Sequence, residues 1–137
     1  MKNTITRRLQ REWAIKALYQ LEITKDPLEK GWHSFLVLEP QAKDASYSYF
    51  LVREVLGKKV ELDSMLEKHV KRWRMERLSR IDINILRLGL YEILYCADVP
   101  TPVAVDEAIE LGKAFSGTEA AKFINGILGR FAEGSHK

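Results

Sequence analysis

Ile85-Leu86-Arg87-Leu88-Gly89-Leu90-Tyr91-Glu92 sits at the centre of an apolar segment that runs from about Ser79 to Tyr95. Ile81, Ile83, Ile85, Leu86, Leu88, Leu90, Ile93 and Leu94 go most of the way round a helix of 3.6-residue period. A helix apolar on nearly every face is central and buried. No other stretch alternates apolar and polar residues as a strand would, so the chain reads as all-α.

Upstream, Trp13, Ala14, Ala17, Leu18 and Leu21 form one stripe of a first helix from about Thr6 to Ile23. Asp26-Pro27 offers an N-cap and a first-turn proline for a short second helix, whose pattern of Leu28, Trp32, Phe35 and Leu36 stops at Pro40. A third is expected from about Asp44, with Tyr47, Phe50, Leu51, Val55 and Leu56 inward, weakening at Gly57. Leu62, Leu66, Val70 and Trp73 mark the next stripe. Downstream, Thr101-Pro102 repeats the cap-and-proline pattern, and Ser116-x-x-Glu119 reads as a capping box for a last helix burying Ile124, Ile127, Leu128 and Phe131. Gly89 and Gly126 fall inside helices, where glycine costs about 1 kcal/mol against alanine, and close helix packing would compensate.

With 137 residues and 46% apolar content, the chain is long enough for a packed core. Its formal charge of +3 is a weak argument for a polyanionic partner, but the charge is uneven. Lys2, Arg7, Arg8, Arg11 and Lys16 stand against Glu12 alone, and Lys68, Lys71, Arg72, Arg74, Arg77 and Arg80 against Glu76 alone. The remainder is net acidic. The single Cys96 has no internal disulfide partner, and neither a signal peptide nor an apolar run approaching about 18 residues is evident, which points to the cytoplasm and away from a membrane. His33, His69 and His136 lack metal-ligand spacing, and no phosphate loop or nucleophile motif occurs. Asp106-Glu107-x-x-Glu110 fits a solvated acidic first turn. No catalytic residue, cofactor or metal is expected.

On a wheel at about 100° per residue with Arg7 at zero, Arg11 falls near 40°, Arg8 near 100° and Tyr19 near 120°. Trp13, Ala17 and Leu21 cluster near about 240–320°. This places the three arginines and Tyr19 on a solvent-side face, where guanidiniums can neutralise phosphates and a tyrosine ring can stack on a base. An ordinary solvated helix start fits the same residues. In the run from Lys68 to Arg80, Trp73 continues a core stripe and leaves Lys71, Arg72 and Arg74 as a solvated face.

The Ile85–Glu92 block, the loop Asp98-Val99-Pro100-Thr101-Pro102, Val103-Ala104-Val105-Asp106-Glu107-Ala108 and Phe123-Ile124-Asn125-Gly126-Ile127-Leu128 follow in an order that resembles the NusB family. Arg7-Arg8-Leu9-Gln10-Arg11, continuing into Ala14, Ala17, Leu18 and Tyr19, is similar to that family's arginine-rich opening. The resemblance implies a fold of about seven helices in two small bundles packed together, about 1–58 and 59–137. It implies an RNA-binding antitermination factor, not an enzyme. Its partners would be boxA RNA, the small-subunit ribosomal protein NusE and the RNA polymerase antitermination complex.

Carried over residue by residue, the resemblance gives an RNA-binding set of Lys2, Arg7, Arg8, Arg11, Tyr19, Glu119, Lys122 and Phe123. Phe123 would stack on an unpaired base, although a phenylalanine at this spacing also fits a core. Asn125 and Gly126 would maintain packing. Arg77 and Asp82 lie in the region that would face NusE. The chain departs from the family at Gln10, where alanine is common, and at Asp106, where many relatives have asparagine. Two other functions fit the same residues: a helical homodimeric interaction protein, and a detached accessory domain of a ribosomal RNA methyltransferase.

Overall fold

A computed structural model describes residues 5–135, with the backbone alone for 72–74. Among the described residues there are eight α-helices, one 3-10 turn and no strand. The chain forms two compact units, Met1–Gly57 and Lys58–Lys137.

In the first unit, the Thr6 hydroxyl accepts the Leu9 N–H at 3.1 Å and starts α1, Arg7–Thr24. Lys25 ends it in a left-handed conformation (φ 60°), returning its N–H to the Leu21 carbonyl. The next helix, α2 (Leu28–Leu38), takes Pro27 as its N-cap without a side-chain bond. Asp26, expected as the cap, pairs instead with Lys30 at 3.6 Å. Pro40–Asp44 winds into a 3-10 turn, which delays α3 to Ser46–Gly57.

Ala45, immediately before α3, has no side-chain acceptor for the free N–H groups of the helix start. Gln10 supplies one from α1. Its Oε1 accepts the Tyr47 N–H at 3.0 Å and the Ser48 N–H at 3.4 Å, while the buried Ser48 hydroxyl donates to the Gln10 carbonyl at 2.6 Å. This amide therefore joins α1 to α3, and both α2 and α3 pack on α1. Leu51 and Val55 are buried as expected, but Tyr47, Phe50 and Leu56 are only half-buried.

In the second unit, α4 (Lys59–Glu67) buries Leu62 and Leu66, and Val70 is buried beyond it. A short α5 (Arg72–Arg77) follows, and the expected core role of the Trp73 side chain lies outside the described residues. Ser79 caps α6 (Arg80–Tyr95), accepting the Asp82 N–H at 3.0 Å. Every residue from Asn84 to Ile93 is buried. Each Leu or Ile so enclosed contributes roughly 1.5–3 kcal/mol relative to exposure. The enclosed Arg87 is paired through Nε and Nη2 with Asp63 at 2.7 and 2.9 Å, and through Nη1 with Asn84 at 3.2 Å. That fork ties α4 to α6.

The last two helices, α7 (Thr101–Phe115) and α8 (Thr118–Glu133), pack on each other and on α6. Their starts differ from expectation. Pro100 precedes α7, and the Thr101 hydroxyl meets that of Ser135 at 2.9 Å. The Ser116 capping box does not form, because Ser116 and Gly117 close α7, both N–H groups bonding the Gly112 carbonyl. The Ser116 hydroxyl donates to Asp82 at 2.5 Å, and Gly117 (φ 102°) occupies the cap position of α8.

A Cβ on Gly89 would come within 2.6 Å of the Leu128 side chain, and one on Gly112 within 3.2 Å of the Ala121 backbone. Gly89 thus permits the close packing expected of it. Among the described residues a Cβ on Gly126 would meet nothing within 4 Å, so their packing does not require that glycine.

Candidate nucleic-acid interface

Residues buried on α1 include Trp13, Leu18, Leu21 and also Ile15 and Arg11, so its inward arc is wider than the apolar stripe alone. Arg11, about 40° from Arg7 on the wheel, falls inside this arc and is only 3% exposed. Arg11 therefore does not share the solvent-side face expected for it. Arg7 and Arg8 at the helix start, and Tyr19 at 41%, are exposed. Tyr19 lies eleven residues beyond Arg8, on the order of 16 Å along the axis, so this face is a track rather than a spot.

The half-buried Tyr47 of α3 organises the start of that track. The Arg7 guanidinium lies 4.2 Å from its ring centroid and that of Arg11 5.7 Å. The same ring stacks on Phe50 at 6.0 Å with planes inclined by 16°, and Arg53 lies 5.7 Å from the Phe50 centroid. The negative face of an aromatic ring attracts a guanidinium, which holds its planar donors in a defined direction. Helical spacing places Tyr47 and Phe50 inward, and spacing alone does not distinguish a core ring from one beneath a cation.

On the second unit, Glu119 and Lys122 are exposed on the first turns of α8 and pair at 3.9 Å. Phe123 is half-buried, between the core and exposed readings. It shares one stripe of α8 with Gly126, Ile127 and Arg130, and these four line a cleft of about 350 Å³ with His69, Val70 and Lys71. The His69 imidazole is set edge-on to Phe131, with centroids 4.5 Å apart and planes at 71°. Val70 and Ile127 are buried, whereas Lys71 and Arg130 are exposed. Nothing in the periodicity of the chain brings residues 69–71 to this stripe.

Arg77 is the exposed last residue of α5. Asp82, in the first turn of α6, accepts the Ser116 hydroxyl and so holds the turn between α7 and α8. Lys2 lies outside the described residues. Among the described residues, no group of three His, Cys, Asp or Glu side chains is arranged to hold a metal ion, and no helix is long and apolar enough to cross a membrane.

Among the described residues the chain is all-helical, and its first helix presents arginines over an aromatic ring. The chain belongs to the NusB family: the model of the NusB family matches residues 8–133. It is 41% identical over 136 residues to the transcription antitermination protein NusB of Myxococcus xanthus, covering 96% of this chain and 97% of that protein. The NusB of Acetivibrio thermocellus is 42% identical, over 90% of this chain and 86% of that protein. Among solved structures, T. maritima NusB superposes with a TM-score of 0.83 at 32% identity, over 98% of this chain and 96% of that one. A crystal structure of the antitermination factors NusB and NusE in complex with dsRNA matches with a TM-score of 0.82 at 25% identity, over 93% of this chain and 96% of that one.

Proposed function

We propose that this protein is a transcription antitermination factor that binds boxA RNA together with NusE and supports transcription of ribosomal RNA operons. The observation that carries the RNA reading is the exposed Arg7 guanidinium held 4.2 Å over the Tyr47 ring, next to the exposed Arg8. Fixed donors of this kind neutralise phosphates with little ordering on binding. Lys2, Arg7 and Arg8 contact phosphates, and Tyr19 stacks further along the strand. Arg11 is the cation behind Tyr47 and supports the track from beneath. Phe123 stacks on a base, with Lys122 and Glu119 at the edge of its surface. Arg77 and Asp82 face NusE. The protein works in the cytoplasm beside RNA polymerase and catalyses no reaction.

Few phosphate contacts give modest affinity, which a partner must raise. If RNA binds the complex with NusE more tightly than it binds this chain alone, linkage requires RNA to tighten the protein pair by the same factor. Titration of labelled boxA RNA against a scrambled RNA tests recognition, with tighter binding of boxA expected and equal binding ruling it out. Calorimetry of NusE binding with and without boxA RNA tests cooperation, and equal dissociation constants would refute it.

A further inference from the structure

We infer that the cleft between α8 and residues 69–71 is a pocket for one unpaired nucleobase of RNA, with Gly126 as the residue that keeps it open. This inference rests on the RNA-binding reading above and adds His69, Lys71, Gly126 and Arg130 to it.

Gly126 lies in the interior of α8, where a glycine weakens the helix by about 1 kcal/mol relative to alanine. Gly89 and Gly112 offset that cost by letting helices approach, but a Cβ at Gly126 would touch none of the described residues. What the missing side chain leaves is space, and that space is the cleft.

The chemistry of the walls selects the occupant. Phe123 and the His69 imidazole, braced by Phe131, supply flat surfaces, while the buried Val70 and Ile127 make the floor apolar. A planar ring fits these surfaces better than water does. The cleft carries cations, Lys71 and Arg130, and no acidic residue is among the described residues that line it, which suits phosphates on either side of an inserted base. Its volume of about 350 Å³ lies at the lower end of small-ligand pockets, enough for one nucleotide unit rather than a duplex.

The test uses Gly126→Leu in the full chain, with Gly129→Leu as control. Gly129 lies on the same helix, also has open space at its Cβ position, and does not line this cleft. Both variants should keep or raise the melting temperature, because leucine is the better helix former. Against single-stranded boxA RNA, Gly126→Leu should bind roughly 5- to 150-fold more weakly, the equivalent of one lost stacking contact. Gly129→Leu should bind as wild type does.

A series of RNAs, each with one abasic nucleotide, should contain a position that weakens wild type by a similar factor and leaves Gly126→Leu no weaker than with intact RNA. Wild-type affinity in Gly126→Leu, or equal losses in both variants, would overturn the pocket. So would abasic penalties that are the same in wild type and Gly126→Leu at every position. If Gly126→Leu keeps its RNA affinity but loses affinity for NusE, the cleft seats a protein side chain and the inference is wrong. Failure of wild type itself to prefer boxA RNA over a scrambled strand would remove the underlying function instead, and the pocket with it.

Discussion

Truncating Arg11 should separate it from the two arginines that precede it. Its side chain is 3% exposed and its guanidinium lies 5.7 Å from the Tyr47 centroid. A desolvated cation over a ring contributes up to about 2 kcal/mol, and the two stem methylenes that truncation removes, Cγ and Cδ, about 0.8 kcal/mol each. Release of the side chain on truncation returns about 2 kcal/mol of rotamer entropy. The net loss for Arg11→Ala is therefore about 1.6 kcal/mol. With an unfolding entropy of about 2.1 cal/mol/K per residue, this corresponds to a fall in melting temperature of roughly 6 °C for the whole chain.

Arg7 is nearer the ring at 4.2 Å, but it is exposed, so solvent screens the contact and Arg7→Ala should cost at most about 1 kcal/mol. Calorimetric melts and salt-dependent RNA titrations of Arg7→Ala, Arg8→Ala and Arg11→Ala measure both properties. Arg7→Ala and Arg8→Ala should each lower the slope of log affinity against log salt by about 0.7 while melting near wild type. Arg11→Met should recover part of the stability lost in Arg11→Ala by restoring apolar volume. If Arg11→Ala melts with wild type and lowers the salt slope as the others do, Arg11 is a phosphate ligand and the argument from burial fails.

Gln10→Ala should destabilise the protein by about 1–2 kcal/mol, the scale of a lost N-cap, even though alanine is the better helix former in α1. A urea midpoint at or above wild type would show that the bonds to Tyr47 and Ser48 carry no net stability. Asp63→Ala leaves the enclosed Arg87 without its carboxylate and should cost roughly 3–5 kcal/mol, whereas Asp63→Leu combined with Arg87→Met should recover much of it. A double variant less stable than Asp63→Ala in urea unfolding would refute this account of the pair.

The sequence carried the helices well, because amphipathic periodicity is local and strong. The all-round apolar segment at Ile85–Glu92 correctly places α6 at the centre of its unit, and Thr6 and Ser79 are legible starts. Most of the misreadings share one cause, competition from a group distant in the chain or already engaged nearby, and Arg11 is the exception, since the residues that widen the inward arc around it lie on its own helix. Ser116 fits a capping box, yet the end of α7 and Asp82 take its polar groups first. Arg11 sits at an angle that looks solvent-side until Ile15 and Leu18 widen the inward arc. For Tyr47 the decisive neighbours, Arg7 and Arg11, lie on another helix, and window-based reading has no access to them. The cleft beside Phe123 was illegible for the same reason, since His69 and Lys71 reach it only through the tertiary fold.

The amide bridge from Gln10 to the first turn of α3 also bears on the order in which the chain acquires structure. Ser46–Gly57 has no start signal of its own, so its first turn remains uncommitted until an acceptor arrives from elsewhere. That acceptor precedes Tyr47 and Ser48 by 37 and 38 residues, so a growing polypeptide presents it before its donors are synthesised. Nucleation of the later helix is thereby coupled to docking on the earlier one, in the direction in which the chain is made.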